Sequence, residues 1–317
     1  MRRHLAVILA VALVAAGCGS SDEPEPSTPG QPDKISAGVI PIVDVAPIYL
    51  GKQKGFFSQR KIDLTLSTSQ GGAALVPAVM SGQLQIGFSN VTSLLLASSK
   101  GLTVKAVSNG VASTGVNGKD YSGVVVKADS PVKTAADLAG KSVSVNTLQN
   151  IGDTTVRASV RKAGGDATAV KFTELPFPDA PAALQAGRVD AIWVVEPFLS
   201  AATGAGGRVV ASNYVDTAPD LTVALYFTTR QFTEQKADLV KRFTEAMAES
   251  LRYAEAHPDE VRQVLGTYTQ ISPEVAAKLT LPKWPAEINR QSVQTLADLA
   301  VSDGLIEKAP DIDALLP

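Results

Sequence analysis

Cysteine is nearly absent from this chain: Cys18 is the only one in 317 residues. A lone thiol forms no internal disulfide, and a Cys-rich zinc site is out of reach. Histidine is almost as scarce. His4 lies in the opening residues, and His257 falls at the end of a predicted helix, just before Pro258. No Ser-His-Asp or Cys-His arrangement, and no ordinary transition-metal site, can be assembled from that inventory. Basic clusters are missing, so nothing points to nucleic acid. Beyond the first residues no apolar run approaches the roughly 20 residues that a membrane span needs. The expectation is a protein that is not an enzyme and has neither metal nor cofactor.

The opening residues read as a targeting segment. Arg2 and Arg3 form a positive start, and residues 5–16 are apolar and uncharged. That run is too short to span a bilayer and ends in small residues, the pattern of a secretory signal over residues 1–17. The Gly17-Cys18 junction resembles a bacterial lipobox, which implies acylation of Cys18. The departure is Ala15, where lipoboxes usually carry Leu. Residues 18–33 follow as a tether. They hold four prolines and four acids with no large apolar side chain, too little to offset chain entropy. Loss of Arg2 and Arg3 with the signal leaves 27 basic against 31 acidic residues, a formal charge of −4.

From Lys34 onward, short β-rich runs alternate with helical stretches, which predicts α/β layers with largely parallel sheets. One set runs through strands at 35–40, 62–66, 84–88 and 103–107. A second, similar set begins after a break at 129–131, with strands at 142–145, 170–175 and 189–195. The last ninety residues turn mostly helical. Leu239, Phe243, Met247, Leu251 and Ala254 recur at the helical period, so one face packs on a core. Pro258 and Pro273 suit first helical turns, and Ser272 suits an N-cap.

Four stretches, in order, resemble a known family. They are Pro47 through Phe57 with Lys61-Ile62-Asp63-Leu64, Gly71-Gly72 with Ala78 through Gly87, Asp137 through Val143, and Ala183 through Trp193 with Glu196-Pro197-Phe198. Together they resemble the nitrate/sulfonate/taurine and thiamine-pyrimidine-precursor binding proteins of ABC importers. The resemblance implies a type II periplasmic-binding fold with two lobes, residues 34–122 plus 227–317 and residues 123–226. It places the hinge at the strands of residues 124–126 and 223–225. It implies an extracytoplasmic, lipid-anchored monomer that holds a small organic acid or heterocycle between its lobes. A sulfonate, an aromatic carboxylate or a pyrimidine precursor would suit. Permease and ATPase subunits would be its partners.

In such folds ligands lie beyond the C-terminal ends of strands, where helix N-termini offer free N–H groups. That rule selects Val43, Asp44 and Tyr49 after the first strand, Gln70, Gly71 and Gly72 after the second, and Ser89, Asn90 and Thr92 after the third. In the second set it selects Gln149, Asn150, Ile151, Gly152, Asp153, Thr154, Arg157, Glu196 and Phe198. Each has a structural alternative. Thr92, Asp153 and Glu196 suit helix caps. Gly71 and Gly72 suit a turn, Tyr49 suits packing, Arg157 suits a solvated surface, and Trp193 suits the core. Asp44 and Glu196 are unusual at a site for a bare anion. If Glu196 faced the cleft it would favour a ligand with a donor or positive group. Asn150-Ile151-Gly152-Asp153 also departs from the Gly-Ser/Thr pair of many sulfonate binders.

Two rivals remain. A ligand-presenting sensor for a membrane receptor fits the same residues. A serine-lysine acyl enzyme matches Ser159-Val160-Arg161-Lys162 by letter, without a companion Lys-Thr-Gly.

Overall fold

A run that ends fully buried along Asp33–Val39 makes the first strand, β1, and alternating burial at the start of Ile62–Thr68 makes β2. The two pair in parallel, in unbroken register from Asp33 opposite Ile62 to Val39 opposite Thr68. The computed structural model describes residues 31–317, and Pro32–Pro317 form one compact unit. The signal segment, Cys18 and most of the expected tether lie outside the described residues. Asp33, assigned to the tether from sequence, instead begins β1 and pairs with Arg242 at 2.6 Å.

The remaining strands are Ile86–Asn90 (β3), Val104–Ala112 (β4), Ser122–Val126 (β5), Ser142–Val145 (β6), Lys171–Glu174 (β7), Ala191–Val195 (β8), Arg208–Ala211 (β9) and Thr222–Thr229 (β10). The helices are Ala46–Gln53 (α1), Leu75–Met80 (α2), Val91–Ser99 (α3), Ile151–Lys162 (α4), Ala180–Gln185 (α5), Phe198–Gly204 (α6) and Asn213–Thr217 (α7). They continue with Arg230–Gln235 (α8), Ala237–Ala256 (α9), Pro258–Leu265 (α10), Pro273–Ala276 (α11), Arg290–Ser302 (α12) and Ile312–Leu315 (α13).

The strands form two five-stranded sheets, ordered β2-β1-β3-β10-β4 and β7-β6-β8-β5-β9. Position for position the two orders are one topology. In each, the strand that arrives from the other half of the chain takes fourth place and runs antiparallel to both neighbours. The sheets are therefore mixed: four strands of each run the same way, as the sequence pattern predicted, and β10 or β5 runs against them. β5 and β10 read as ordinary buried runs, and strand direction leaves no mark on such runs.

Residues 222–226, assigned from sequence to lobe two, pair in the first sheet along β10. The strands expected to act as the hinge, residues 124–126 and 223–225, lie inside the sheets. The chain passes between lobes at 113–121 and 218–221. Ser113 N–H ties the crossovers together by donating to Leu221 O at 2.9 Å, and Gly118 N–H ties the first to lobe two by donating to Ser212 Oγ at 2.9 Å.

Packing follows the periodicities. On α9 the buried residues include Leu239, Phe243, Met247, Leu251 and Ala254, the stripe read from sequence. This helix lies on α1 at Gly51, where an added Cβ would overlap Ser250 Oγ. Only glycine allows that approach, which anchors the helical tail to the lobe that carries β1. Pro258 and Pro273 occupy first helical positions, and Ser272 caps α11 by accepting from Val275 N–H.

Candidate functional site

The parallel strands of both sheets end toward one gap. Its cavity volume is about 30 Å³, well below the usual range for small-molecule sites, so the lobes must part to admit a ligand. Lobe one lines it with Ile40, Ile42, Asp44, Phe88 and Asn90, together with Val223 and Ala224 of β10. Lobe two supplies Asn146, Ile151, Phe177, Trp193, Val195 and Tyr214.

Asp44 sits in a short 3-10 turn (Val43–Val45) between β1 and α1 and is 2% exposed. Tyr121 OH donates to its Oδ2 at 3.3 Å, while its Oδ1 has no partner. Burial pushes its carboxyl up to about 7, against the smaller opposing effects of a backbone N–H and Tyr121; the charge of Asp120 adds to the rise. Trp284 Nε1 donates to Asp44 O at 3.0 Å and fixes the turn. On the other side of the gap, α4 opens with Asn150, whose side chain accepts from Ile151 N–H. Asp153 accepts from Gln149 N–H at 3.0 Å through Oδ2, and its Oδ1 is unpartnered. Burial raises this carboxyl to about 6, with Gln149 N–H and then Arg157 opposing.

Two residues that line the gap carry a buried oxygen without a partner, Asp44 Oδ1 and Asn146 Oδ1. Ser89 Oγ, Thr92 Oγ1, Asn150 Nδ2 and Asp153 Oδ1, next to lining residues in sequence, are unpartnered as well. A buried polar atom without a partner costs about 1–3 kcal/mol, so a folded chain seldom tolerates several together unless something else fills them.

Other residues selected from sequence serve structure. Asn90 caps α3 through Ser93 N–H at 2.9 Å while lining the gap. Gly72 packs on Ser89, where a Cβ would meet Oγ at 2.5 Å, and Gly71 faces Thr147 Oγ1 of lobe two at 2.7 Å in the same sense. Gly152 lets α4 rest on the Trp193 ring. Thr154 is buried and donates to Asn150 O at 3.2 Å. Val43 N–H reaches Glu196 O of lobe two at 3.2 Å.

Several expected contacts fall elsewhere. Arg157 turns from the gap, donating to Ala167 O at 2.5 Å with its guanidinium 4.9 Å over Phe172. Tyr49 stacks on Tyr268 at 3.9 Å. Gln70 and Gln149 are exposed. Phe198 stands behind Phe177, stacked at 5.9 Å. Glu196 is 2% exposed and serves as a cap and a strut: it accepts from Ser200 N–H at 2.9 Å and Ser200 Oγ at 2.8 Å, and from Thr280 N–H of lobe one at 3.2 Å. Burial raises its carboxyl, with Ser200 opposing. Ser159 and Lys162 both engage Asp216, at 2.9 and 3.0 Å, so neither is placed as a nucleophile or base.

Sequence reasoning did not select Tyr121, Asn146, Phe177 or Tyr214, and it placed Trp193 in the core. Trp193 does both: its Nε1 donates to Ser122 Oγ at 2.9 Å, Ser122 Oγ to Asn213 Oδ1 at 3.0 Å, and Asn213 Nδ2 to Thr155 Oγ1 at 2.7 Å. This buried chain locks α4, α7, β5 and β8 behind the ring that faces the gap. The amide-rich segment before α4 was the one available signal for Asn146.

Two α/β lobes of one topology, joined by two crossovers around an aromatic-walled gap with a few polar side chains, define a type II periplasmic solute-binding protein, a non-catalytic class. The chain belongs to the NMT1/THI5-like family, whose model matches residues 42–261, more than half of its length. It is 29% identical over 196 residues to the "Putative aliphatic sulfonates-binding protein" of Escherichia coli (strain K12), and the match spans 60% of each chain. Among solved structures it is similar in fold to the alkanesulfonate-binding protein SsuA from Xanthomonas axonopodis pv. citri bound to MOPS. That likeness has TM-score 0.75 and 20% identity, over 90% of this chain and 99% of the other. It is also similar to the nitrate-binding protein NrtA from Synechocystis PCC 6803, with TM-score 0.75 and 13% identity, over 90% and 86%.

Proposed function

We propose that this chain is the extracytoplasmic capture component of an ABC importer, held to the membrane by a lipid on Cys18. It takes one small polar organic molecule into the gap and presents the closed body to permease and ATPase subunits. The observation that carries this reading is a pair of unpartnered buried oxygens, Asp44 Oδ1 of one lobe and Asn146 Oδ1 of the other, on residues that line one space. A ligand that satisfies atoms from both lobes favours the closed arrangement by its differential affinity for it. The family and its importer-associated relatives support the same role.

A thermal-unfolding screen tests it. The panel holds sulfonates, aromatic carboxylates, pyrimidines and amines. A melting temperature that climbs with ligand concentration is the expected result. Stabilisation by none of these classes, or by free metal ions alone, would overturn the reading. The anchor is tested separately: Cys18→Ser releases the protein from membranes if a lipid on Cys18 holds it there.

A further inference from the structure

The unfilled positions in the gap have a chemical sign. Asn146 Oδ1 is an acceptor, Asp44 Oδ1 and Asp153 Oδ1 are acceptors in their ionised carboxylates, and all three are buried without partners. Only Asn150 Nδ2 among these side-chain atoms is a donor alone. Asp44 and Asn146 line the gap directly, one from each lobe. Among the described residues, no Lys, Arg or His lines it. Arg157, the cation nearest in sequence to Asp153, is spent on Ala167 O and the Phe172 ring.

The helix N-termini, which favour anions in general, are partly filled already. Asn90 takes Ser93 N–H on α3, and Asn150 takes Ile151 N–H on α4. Asp153 brings the protein's own carboxyl to the first turn of α4. A bare anion would therefore meet acceptor oxygens and carboxyls with no cationic side chain to offset them. A group carrying N–H bonds would meet partners. The walls around those oxygens are rings, Phe88, Phe177, Trp193 and Tyr214, which suit a flat or cationic body.

Resting on the capture reading above, we infer that the gap selects a ligand bearing nitrogen N–H donors, an amine or amidine-like group, anchored on Asp44. Asp44 is then the specificity-determining residue of the site, and Asn146 its counterpart from lobe two.

Calorimetric titration of the full mature chain with shape-matched pairs tests this. The pairs are benzamidinium against benzenesulfonate, and ethylammonium against ethanesulfonate. Within each pair the nitrogen probe binds at least tenfold more tightly. Asp44→Asn weakens the nitrogen probes at least tenfold and leaves the sulfonates unchanged or improved. Asn146→Ala weakens the same probes by a smaller factor. The ranking of wild-type affinities needs no variant to fold. A sulfonate that outbinds its nitrogen partner overturns the inference and leaves the capture reading standing. Nitrogen probes that bind Asp44→Asn as tightly as wild type overturn the role of Asp44. If neither member of either pair binds, the inference fails, and the capture reading falls with it only when the wider screen is silent too.

Discussion

The two lobes carry the same strand order, yet equivalent positions in them do different work. After β3 comes Asn90, and after the matching strand β8 comes Glu196. Both cap the helix that follows. Asn90 also lines the gap, whereas Glu196 reaches away from it to Thr280 N–H of the other lobe. After β1 comes Asp44, with one carboxyl oxygen free. After the matching β6 come Asn146 and Asn150, amides with one unpartnered atom each, Oδ1 and Nδ2. A shared topology fixes where functional residues can stand. Which of them meets a ligand and which ties the lobes together depends on what packs opposite.

The two tryptophans sharpen this contrast most. Trp193 of lobe two and Trp284 of lobe one are both 2% exposed, and each donates its indole N–H to a buried oxygen. Either change to Ala lowers stability by about 3–5 kcal/mol in denaturant unfolding. Trp193→Phe keeps most of that stability but alters ligand affinity, because the ring faces the gap. Trp284→Phe leaves affinity closer to wild type, because that ring acts on Asp44 through its backbone. Equal losses of binding in both would erase the distinction.

Next come Glu196 and Asn90. Glu196→Ala removes a cap and a strut, so it costs about 2 kcal/mol, toward the upper end for a cap. Asn90→Ala costs about 1 kcal/mol and reduces ligand response more than Glu196→Ala does. Thermal unfolding with and without ligand measures both.

Asp44 and Asp153 give a pH signature. Their folded-state values, about 7 and about 6, lie above the ordinary carboxyl value of 3.8. The folded state therefore binds protons more tightly than the unfolded chain. The stability this provides is present below about pH 4 and is lost as pH rises through about 6 and 7. The unliganded protein should melt at a lower temperature at pH 8 than at pH 5, and Asp44→Asn should flatten much of that slope. A slope untouched by Asp44→Asn would place the effect elsewhere.

The smallest effect belongs to an ion pair across the lobes. Arg161 of α4 grips Asp303, just after α12, with both guanidinium nitrogens, Nη2 at 3.2 Å. Arg161→Ala should cost about 0.2–1 kcal/mol, and less at high salt. Because the pair joins the lobes, it should also speed ligand release, readable by stopped flow. A change in stability alone would make it a surface pair without a part in closure.

Much of this was legible in the residues. The stripe on α9, the caps at Ser272 and the prolines at Pro258 and Pro273 follow from local periodicity and backbone chemistry, and they stand where the pattern put them. Asp44, Ser89, Thr92, Asn150 and Asp153 were selected because they follow strands, and all carry buried atoms without partners. Arg157 was not legible: a charge one turn into a helix has several directions open, and Phe172 and Ala167 O decided among them. Nor was the direction of β5 and β10, since both read as ordinary buried runs.

The order of strands and helices, the buried stripes and the loops able to carry a site were settled by the chain itself, because period and capping act over a few residues. Which side chains share the gap, which carboxyl stays unpartnered and which one braces the lobes were settled by the fold. Those outcomes depend on residues more than seventy positions apart, as with Tyr121 and Asp44, Thr280 and Glu196, or Trp284 and Asp44, and no local pattern records what a distant segment will bring.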